Sequence, residues 1–174
     1  AEIAREAGAE VPFLRPEDLA GDQPTTTPVV IHALEWLAQQ GHKPDLACLI
    51  YATAAFLTPE FLSQGLKLMN ERGADSTAAV TQYSHPIDRA LTMPQDGFLK
   101  FRWPENKNVR TNDLPPSYHD LGMFYWLRVA RFLATKSVWQ EKTSPVLIPS
   151  HLAADIDTEE DWQRAELLFE RLAR

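Results

Sequence analysis

The sequence has one cysteine, no long apolar run and fewer basic than acidic residues. Because Cys48 is alone, an internal disulfide framework is excluded, and a lone thiol fits a reducing cytoplasm. No apolar run approaches the roughly 20 residues that a membrane-spanning helix needs. The net charge of −7 argues against duplex nucleic acid, which binds to basic surfaces. We therefore expect a cytoplasmic protein without a membrane or nucleic acid partner.

An initiating methionine is also absent, and residues 1–7 already have the composition of a helix that Gly8 closes. The segments that follow alternate between strand and helix patterns, and folds of that kind normally begin with a strand. We therefore expect that sequence upstream of Ala1 is missing. The 174 residues present are enough for one domain with a real core, and we predict a single domain over residues 1–174.

Apolar periodicity and turn residues divide the chain into short elements. A continuous apolar run predicts a strand at 46–51, and other strands are predicted at 76–82, 121–127 and 145–149. Helices are predicted from Thr27 to Gly41, at 58–72, at 129–135 and from Thr158 onward. Residues 90–93 and 98–103 read as a β-hairpin, followed by a polar, Pro-rich loop. This order predicts an α/β fold with a mostly parallel sheet covered on both faces.

The most informative motif is acidic. Asp155 and Asp157 lie two residues apart, so in an extended segment their carboxylates point to one side. Thr158 and Asp161 resemble a capping box that starts the last helix. Two convergent carboxylates suit Mg²⁺, which is often shared with substrate phosphates. The alternative is that these acids only complement the dipole of the helix.

In α/β sheets, ligands bind beyond the carboxyl ends of the strands. That rule gathers four separate segments into one cleft. These are residues 51–53, Arg89, residues 120–125 and residues 155–157. No pattern supports a zinc site, a nucleophilic triad or a covalent intermediate.

Several motifs, taken in order, carry a family resemblance. They are Ile50-Tyr51-Ala52-Thr53-Ala54, Tyr118-His119-Asp120-Leu121-Gly122, Asp155-Ile156-Asp157-Thr158 and the segments 8–16, 25–36 and 86–91. Together they resemble the sugar-acid cytidylyltransferase family, and the Tyr-Ala-Thr-Ala segment resembles its pseudaminic acid branch. The resemblance implies a three-layer, Rossmann-like nucleotide-diphospho-sugar transferase fold that here lacks its first strands. The family's Gly/Arg/Lys-rich loop for the CTP triphosphate has no counterpart, so we expect this chain alone to be inactive.

The reaction implied by the resemblance is attack of the anomeric hydroxyl of a nonulosonic acid on the α-phosphate of CTP. N-acylneuraminate or Kdo are alternative sugars, and a non-catalytic remnant that binds sugar or pairs with an intact copy is an alternative of another class. Asp155 and Asp157 would hold Mg²⁺, and Arg15 and Thr26 would contact the nucleotide, unless the Thr cluster only caps its helix. The residues expected around the sugar acid are Tyr51, Thr53, Arg89, Arg110, Asp120, Gly122, Phe124 and Tyr125.

Each of these assignments has a structural alternative. Tyr51 and half of the aromatic residues at 121–127 could be core, and Arg110 could be a plain surface charge. In the family, the segment that residues 90–118 occupy contributes to a dimer interface, so the resemblance implies a homodimer. The hairpin in that segment could instead be the decoration of a monomer. By the same resemblance, the product would supply surface glycan or flagellin glycosylation in a bacterium.

Overall fold

The computed structural model describes residues 1–21 and 25–172, and within them six helices and six strands form. The helices are α1 (Glu2–Glu6), α2 (Glu17–Ala20), α3 (Thr26–Gln39), α4 (Pro59–Arg72), α5 (Val129–Thr135) and α6 (Glu159–Leu172). The strands are β1 (Leu46–Ile50), β2 (Ser76–Gln82), β3 (Leu91–Thr92), β4 (Lys100–Phe101), β5 (Tyr118–Arg128) and β6 (Thr143–Leu147). The predicted α/β class is confirmed.

The main sheet has the order β1-β5-β2-β6 and is not mostly parallel in its pairings. β5 pairs antiparallel with both β1 and β2, whereas β2 and β6 pair in parallel. The prediction of a mostly parallel sheet was therefore wrong. β1, β2 and β6 do run in one direction, but β5 enters between β1 and β2 from their carboxyl ends. The amino end of β5 consequently lies beside the carboxyl ends of its neighbours.

One face of the sheet is covered by α4. The cluster on this face includes Met123, Phe124 and Val146 from the strands, with Leu62 and Leu68 of α4 against it. Gly65 permits the close approach, because a Cβ there would lie 2.9 Å from Trp126 and 3.1 Å from Phe124. The helix ends as predicted at Gly73, which is left-handed with φ 59°.

The opposite face is covered by α3 and α5. Val30 and Leu34 of α3 and Phe132 of α5 pack against Ala78, Tyr125 and other buried residues of the strands. α3 begins at Thr26, one residue before the predicted cap at Thr27, and Thr25 at its N-cap makes no side-chain capping hydrogen bond. β1 is an edge strand of the described sheet and is only partly buried, unlike the fully covered strand expected from its sequence.

Local patterns located the other elements with small shifts. β2 and α5 have the predicted bounds, while β5 is longer than residues 121–127 and β6 starts at Thr143 instead of 145. The hairpin forms, but β3 and β4 have two residues each, with Leu91 opposite Phe101. The described residues include no helix long and apolar enough to cross a membrane.

The acidic motif does not follow directly on a strand. β6 ends at Leu147, a 3-10 turn covers Ser150–Leu152, and Asp155 lies in the irregular segment after it. The predicted capping box is confirmed: the Asp161 N–H donates to Thr158 Oγ1 at 3.2 Å, and the Thr158 N–H donates to Asp161 Oδ2 at 3.0 Å. α6 therefore begins just after Asp157.

Candidate active site

A large bulge in β5 lies beside the carboxyl ends of β1 and β2. Ala78 pairs with Tyr125 and Val80 pairs with Asp120, so Ala79 alone faces residues 121–124. Gly122 within this bulge has φ +54°, which is left-handed backbone that suits glycine. On the other side, the Tyr51 N–H donates to the Met123 carbonyl at 3.1 Å. The bulge thus joins the end of β1 to the beginning of β5.

Asp120 spans the bulge through both of its carboxylate oxygens. The Gly122 N–H donates to Oδ1 at 3.1 Å, and the Tyr125 hydroxyl donates to Oδ2. Tyr125 itself is only 2% exposed. Burial, and then the hydrogen bond to Asp120, raise the pKa of Tyr125 far above its ordinary value, so its hydroxyl remains a donor.

Asp155 lies against the same bulge. Its Oδ1 is 3.6 Å from the position that a Cβ on Gly122 would occupy. Partial burial raises the pKa of Asp155, the Asp157 and Asp120 carboxylates raise it further, and His119 opposes them. Negative charge is therefore concentrated beside the bulge, where Asp155, Asp157 and Asp120 are close enough to repel one another.

These carboxylates fit a hard cation. Their mutual repulsion is what a bound cation would relieve, and two carboxylates with open positions suit Mg²⁺ shared with phosphates. No group of three His, Cys, Asp or Glu with metal-binding geometry occurs within residues 1–21 and 25–172. The carboxylates that could hold such a cation are those of Asp155 and Asp157, while the two oxygens of Asp120 accept hydrogen bonds from Gly122 and Tyr125.

Tyr51 and Thr26 form a second polar group beside the bulge. Thr26 Oγ1 and the Tyr51 hydroxyl are 2.6 Å apart, and the rings of Tyr51 and Tyr125 are 6.0 Å apart between centroids. Thr26, expected to contact nucleotide, and Tyr51, expected to contact sugar, thus touch each other. Phe124 is fully buried, on the face that α4 covers, and packs in the core.

Other predicted residues lie outside this group. Arg15 is exposed in the loop before α2, and Thr53 is exposed in the turn after β1. Arg89 ends a 3-10 turn and Arg110 precedes another, both near the insertion at residues 90–118. No ion pair of the described residues links either arginine to Asp120 or Asp155.

A polar cleft lies where this insertion meets the carboxyl end of β2. Its volume is about 690 Å³, and its walls include Tyr83, Ser84 and His85 on one side and Thr111 and Asn112 on the other. Arg110 directly precedes Thr111. The space is therefore of the size that small-molecule sites have, although its lining is more polar than usual.

Sequence patterns did not indicate two aromatic contacts that residues of β5 make. Trp139 packs edge-on against Tyr125 at 5.9 Å, and Tyr83 packs against His119 at 4.7 Å. Both Trp139 and Tyr83 are isolated in polar segments, where no periodicity marks them. Burial raises the pKa of the Cys48 thiol to about 11, so this cysteine stays protonated and is a poor nucleophile.

Comparison with known proteins identifies relatives that extend over almost all of the chain. Pseudaminic acid cytidylyltransferase of Campylobacter jejuni is 30% identical over 168 residues, which are 97% of this chain and 72% of that protein. CMP-N,N'-diacetyllegionaminic acid synthase of Legionella pneumophila is 30% identical over 172 residues, which are 98% of this chain and 73% of that protein. The chain belongs to the sugar-acid cytidylyltransferase family. No family model matches it.

Membership of the cytidylyltransferase family confirms the resemblance seen in the ordered motifs. The two relatives match this chain at the same identity yet are named for different sugar acids. Overall identity therefore does not select the sugar.

Proposed function

We propose that the protein transfers CMP from CTP to a nonulosonic acid, with pseudaminic acid as the preferred sugar. The observation that carries the proposal is the position of Asp155, beside Asp157 and against Gly122 at the carboxyl ends of the strands. The relatives named for pseudaminic and legionaminic acid support the reaction class. The segment Tyr51-Ala52-Thr53-Ala54 supports the pseudaminic branch.

In this reaction the anomeric oxygen forms a bond to the α-phosphorus of CTP. The bond between the α-phosphorus and the oxygen that bridges to the β-phosphate breaks. The anomeric hydroxyl loses its proton, and pyrophosphate leaves. Both substrates are anions, so their charge must be neutralised and the two must be held in line.

Asp155 and Asp157 would hold Mg²⁺ against the CTP phosphates. Bound there, the ion supplies charge neutralisation and orientation of the phosphates. Arg15 and Thr26 are assigned to the nucleotide, and the hydrogen bond between Thr26 and Tyr51 supports the assignment of Thr26. Arg110, which directly precedes Thr111 of the polar cleft in the chain, is assigned to the sugar carboxylate because a guanidinium offers two parallel donors.

Pyrophosphate release tests this function. The intact gene product is mixed with CTP, Mg²⁺ and, separately, pseudaminic acid, diacetyllegionaminic acid, N-acetylneuraminic acid or Kdo. We expect the fastest release with pseudaminic acid and a loss of about a hundredfold or more in Asp157→Asn, because an electrostatic contact in the transition state is removed. Faster release with another acid would change the assigned sugar, and no release with any would refute the reaction.

We further propose that the protein is a homodimer joined through the insertion at residues 90–118. Three apolar residues of the hairpin support this assignment, since Met93, Phe98 and Leu99 are 72%, 73% and 64% exposed. Exposed apolar clusters of this kind are typical of interaction surfaces. Sedimentation should show a dimer that Phe98→Ser weakens, while a monomeric wild-type protein would refute the proposal.

A further inference from the structure

We propose that Asp120 is a positioning residue that sets the place of the Asp155 carboxylate through the bulge of β5, and that Tyr125 holds Asp120 for this task. The inference rests on the proposed function, because it concerns the aspartate pair assigned there to Mg²⁺. It gives Asp120 and Tyr125 a role other than the substrate contact expected from the sequence.

The first step is the way Asp120 closes the bulge. Its two oxygens accept from the backbone N–H of Gly122, inside the bulge, and from the hydroxyl of Tyr125, directly after it. One side chain therefore fixes the path of the chain between Asp120 and Tyr125. Since Tyr125 is 2% exposed and packs against Tyr51 and Trp139, its hydroxyl is a rigid anchor.

The second step is the contact between the bulge and Asp155. Gly122 presents a bare α-carbon to the carboxylate, with Asp155 Oδ1 3.6 Å from the place of the missing Cβ. Asp155 belongs to an irregular segment without ladder hydrogen bonds of its own. Because that segment is not held by a strand, the surface it rests on decides where the carboxylate lies. A shift of Gly122 would move Asp155 relative to Asp157.

The third step compares the contacts of Asp120 with those of residues that orient metal ligands. Each oxygen of Asp120 already accepts a hydrogen bond within the bulge, and Tyr125 has its hydroxyl engaged. Outer residues that orient metal-binding carboxylates typically change metal affinity by about 10-fold to 100-fold when they are removed. Asp120 and Tyr125 have the contacts of such residues.

The test measures binding of Mn²⁺ alone, by the loss of its free electron paramagnetic resonance signal, to the full chain. Asp120→Ala should weaken binding by about tenfold or more, and Tyr125→Phe should weaken it by a smaller factor. Asp120→Asn keeps an oxygen acceptor for the Gly122 N–H and should recover most of the affinity. Matched controls are Asp18→Ala, on the exposed surface of α2, and Tyr118→Phe, at the exposed beginning of β5, and both should bind as the wild type does.

A second readout is the Mg²⁺ dependence of pyrophosphate release. In Asp120→Ala the Mg²⁺ concentration at half-maximal rate should rise in parallel with the Mn²⁺ dissociation constant, and Asp120→Asn should restore both. Circular dichroism melts establish that each variant is folded, and if Asp120→Ala does not fold, Tyr125→Phe against Tyr118→Phe decides.

Two outcomes would overturn the positioning role and leave the proposed function standing. One is unchanged Mn²⁺ affinity in Asp120→Ala and Tyr125→Phe while Asp155→Asn loses it. The other is an equal loss in Asp120→Ala and Asp120→Asn, since the hydrogen bond to the Gly122 N–H, which asparagine keeps, would then contribute nothing to the affinity. If Asp155→Asn binds Mn²⁺ normally, the assignment of the metal to Asp155 fails, and the positioning role fails with it.

Discussion

Two helices of equal length, α4 and α6, differ sharply in how they meet the rest of the protein. Both have 14 residues and both follow a threonine. α4 buries Gly65 and Met69 against the sheet, whereas α6 buries only Ala165. Two helices with similar amphipathic patterns therefore have different roles, because α4 packs in the core and α6 begins beside the acidic motif.

The two helices also differ at their first residues, and here α6 has the capping hydrogen bonds that α4 lacks. Thr58 precedes α4 without a side-chain hydrogen bond to the helix backbone. Thr158 precedes α6 and exchanges hydrogen bonds with Asp161, whose pKa is lowered chiefly by the Thr158 hydroxyl. α4 is thus stabilised along its length by packing, whereas α6 is capped by hydrogen bonds at the end that lies near Asp157.

The largest effect should come from the packed helix. Met69→Ala removes a side chain that is 0% exposed, and it should lower the free energy of unfolding by about 2–5 kcal/mol through lost burial and a cavity. Urea denaturation measures this change. Lys67→Ala, on the exposed face of the same helix, is the control and should change stability by less than about 0.5 kcal/mol. Similar losses in the two variants would mean that α4 does not pack as described.

A smaller effect should appear at the caps. Thr158→Ala removes the hydrogen bond to the Asp161 N–H and should cost about 1 kcal/mol of stability, while Thr58→Ala should cost less than half of that. Because Thr158 directly follows Asp157 in the chain, Thr158→Ala should also slow pyrophosphate release, and Thr58→Ala should not. Equal effects of the two substitutions would remove the distinction between the helix starts.

The sequence predicted the elements well where local chemistry decides them. Gly73 after an amphipathic stripe marked the end of α4, and Thr158 with Asp161 marked the start of α6. Sequence reasoning missed the antiparallel entry of β5, because pairing partners are chosen by distant segments and a buried strand has the same apolar pattern in either direction. It also missed Gly65, since a glycine inside a helix reads as a weak point until the sheet beneath it is known.

The candidate site was predicted in part. Tyr51, Asp120 and Asp155 lie at one end of the sheet, as expected. Asp120 lies there for a reason that was not foreseen, because β5 is antiparallel and its amino end lies beside the carboxyl ends of β1 and β2. The pairing of Asp120 with Tyr125 could not be predicted, because residues five apart on a regular strand point to opposite faces. Only the bulge, with Gly122 at φ +54°, brings the two side chains together.

The smallest effect should come from the apolar face of α6. Phe169 is 64% exposed, so its side chain buries little apolar surface in the folded protein. Phe169→Ala should therefore lower the free energy of unfolding by less than about 1 kcal/mol. Phe132→Ala in α5 is the matched control, because that ring is 1% exposed and its removal should cost about 3–5 kcal/mol. If urea denaturation gave Phe169→Ala a cost close to that of Phe132→Ala, the exposed face of α6 would have to be covered in solution. The comparison with α4 would then fail, because both helices would owe their stability to packing.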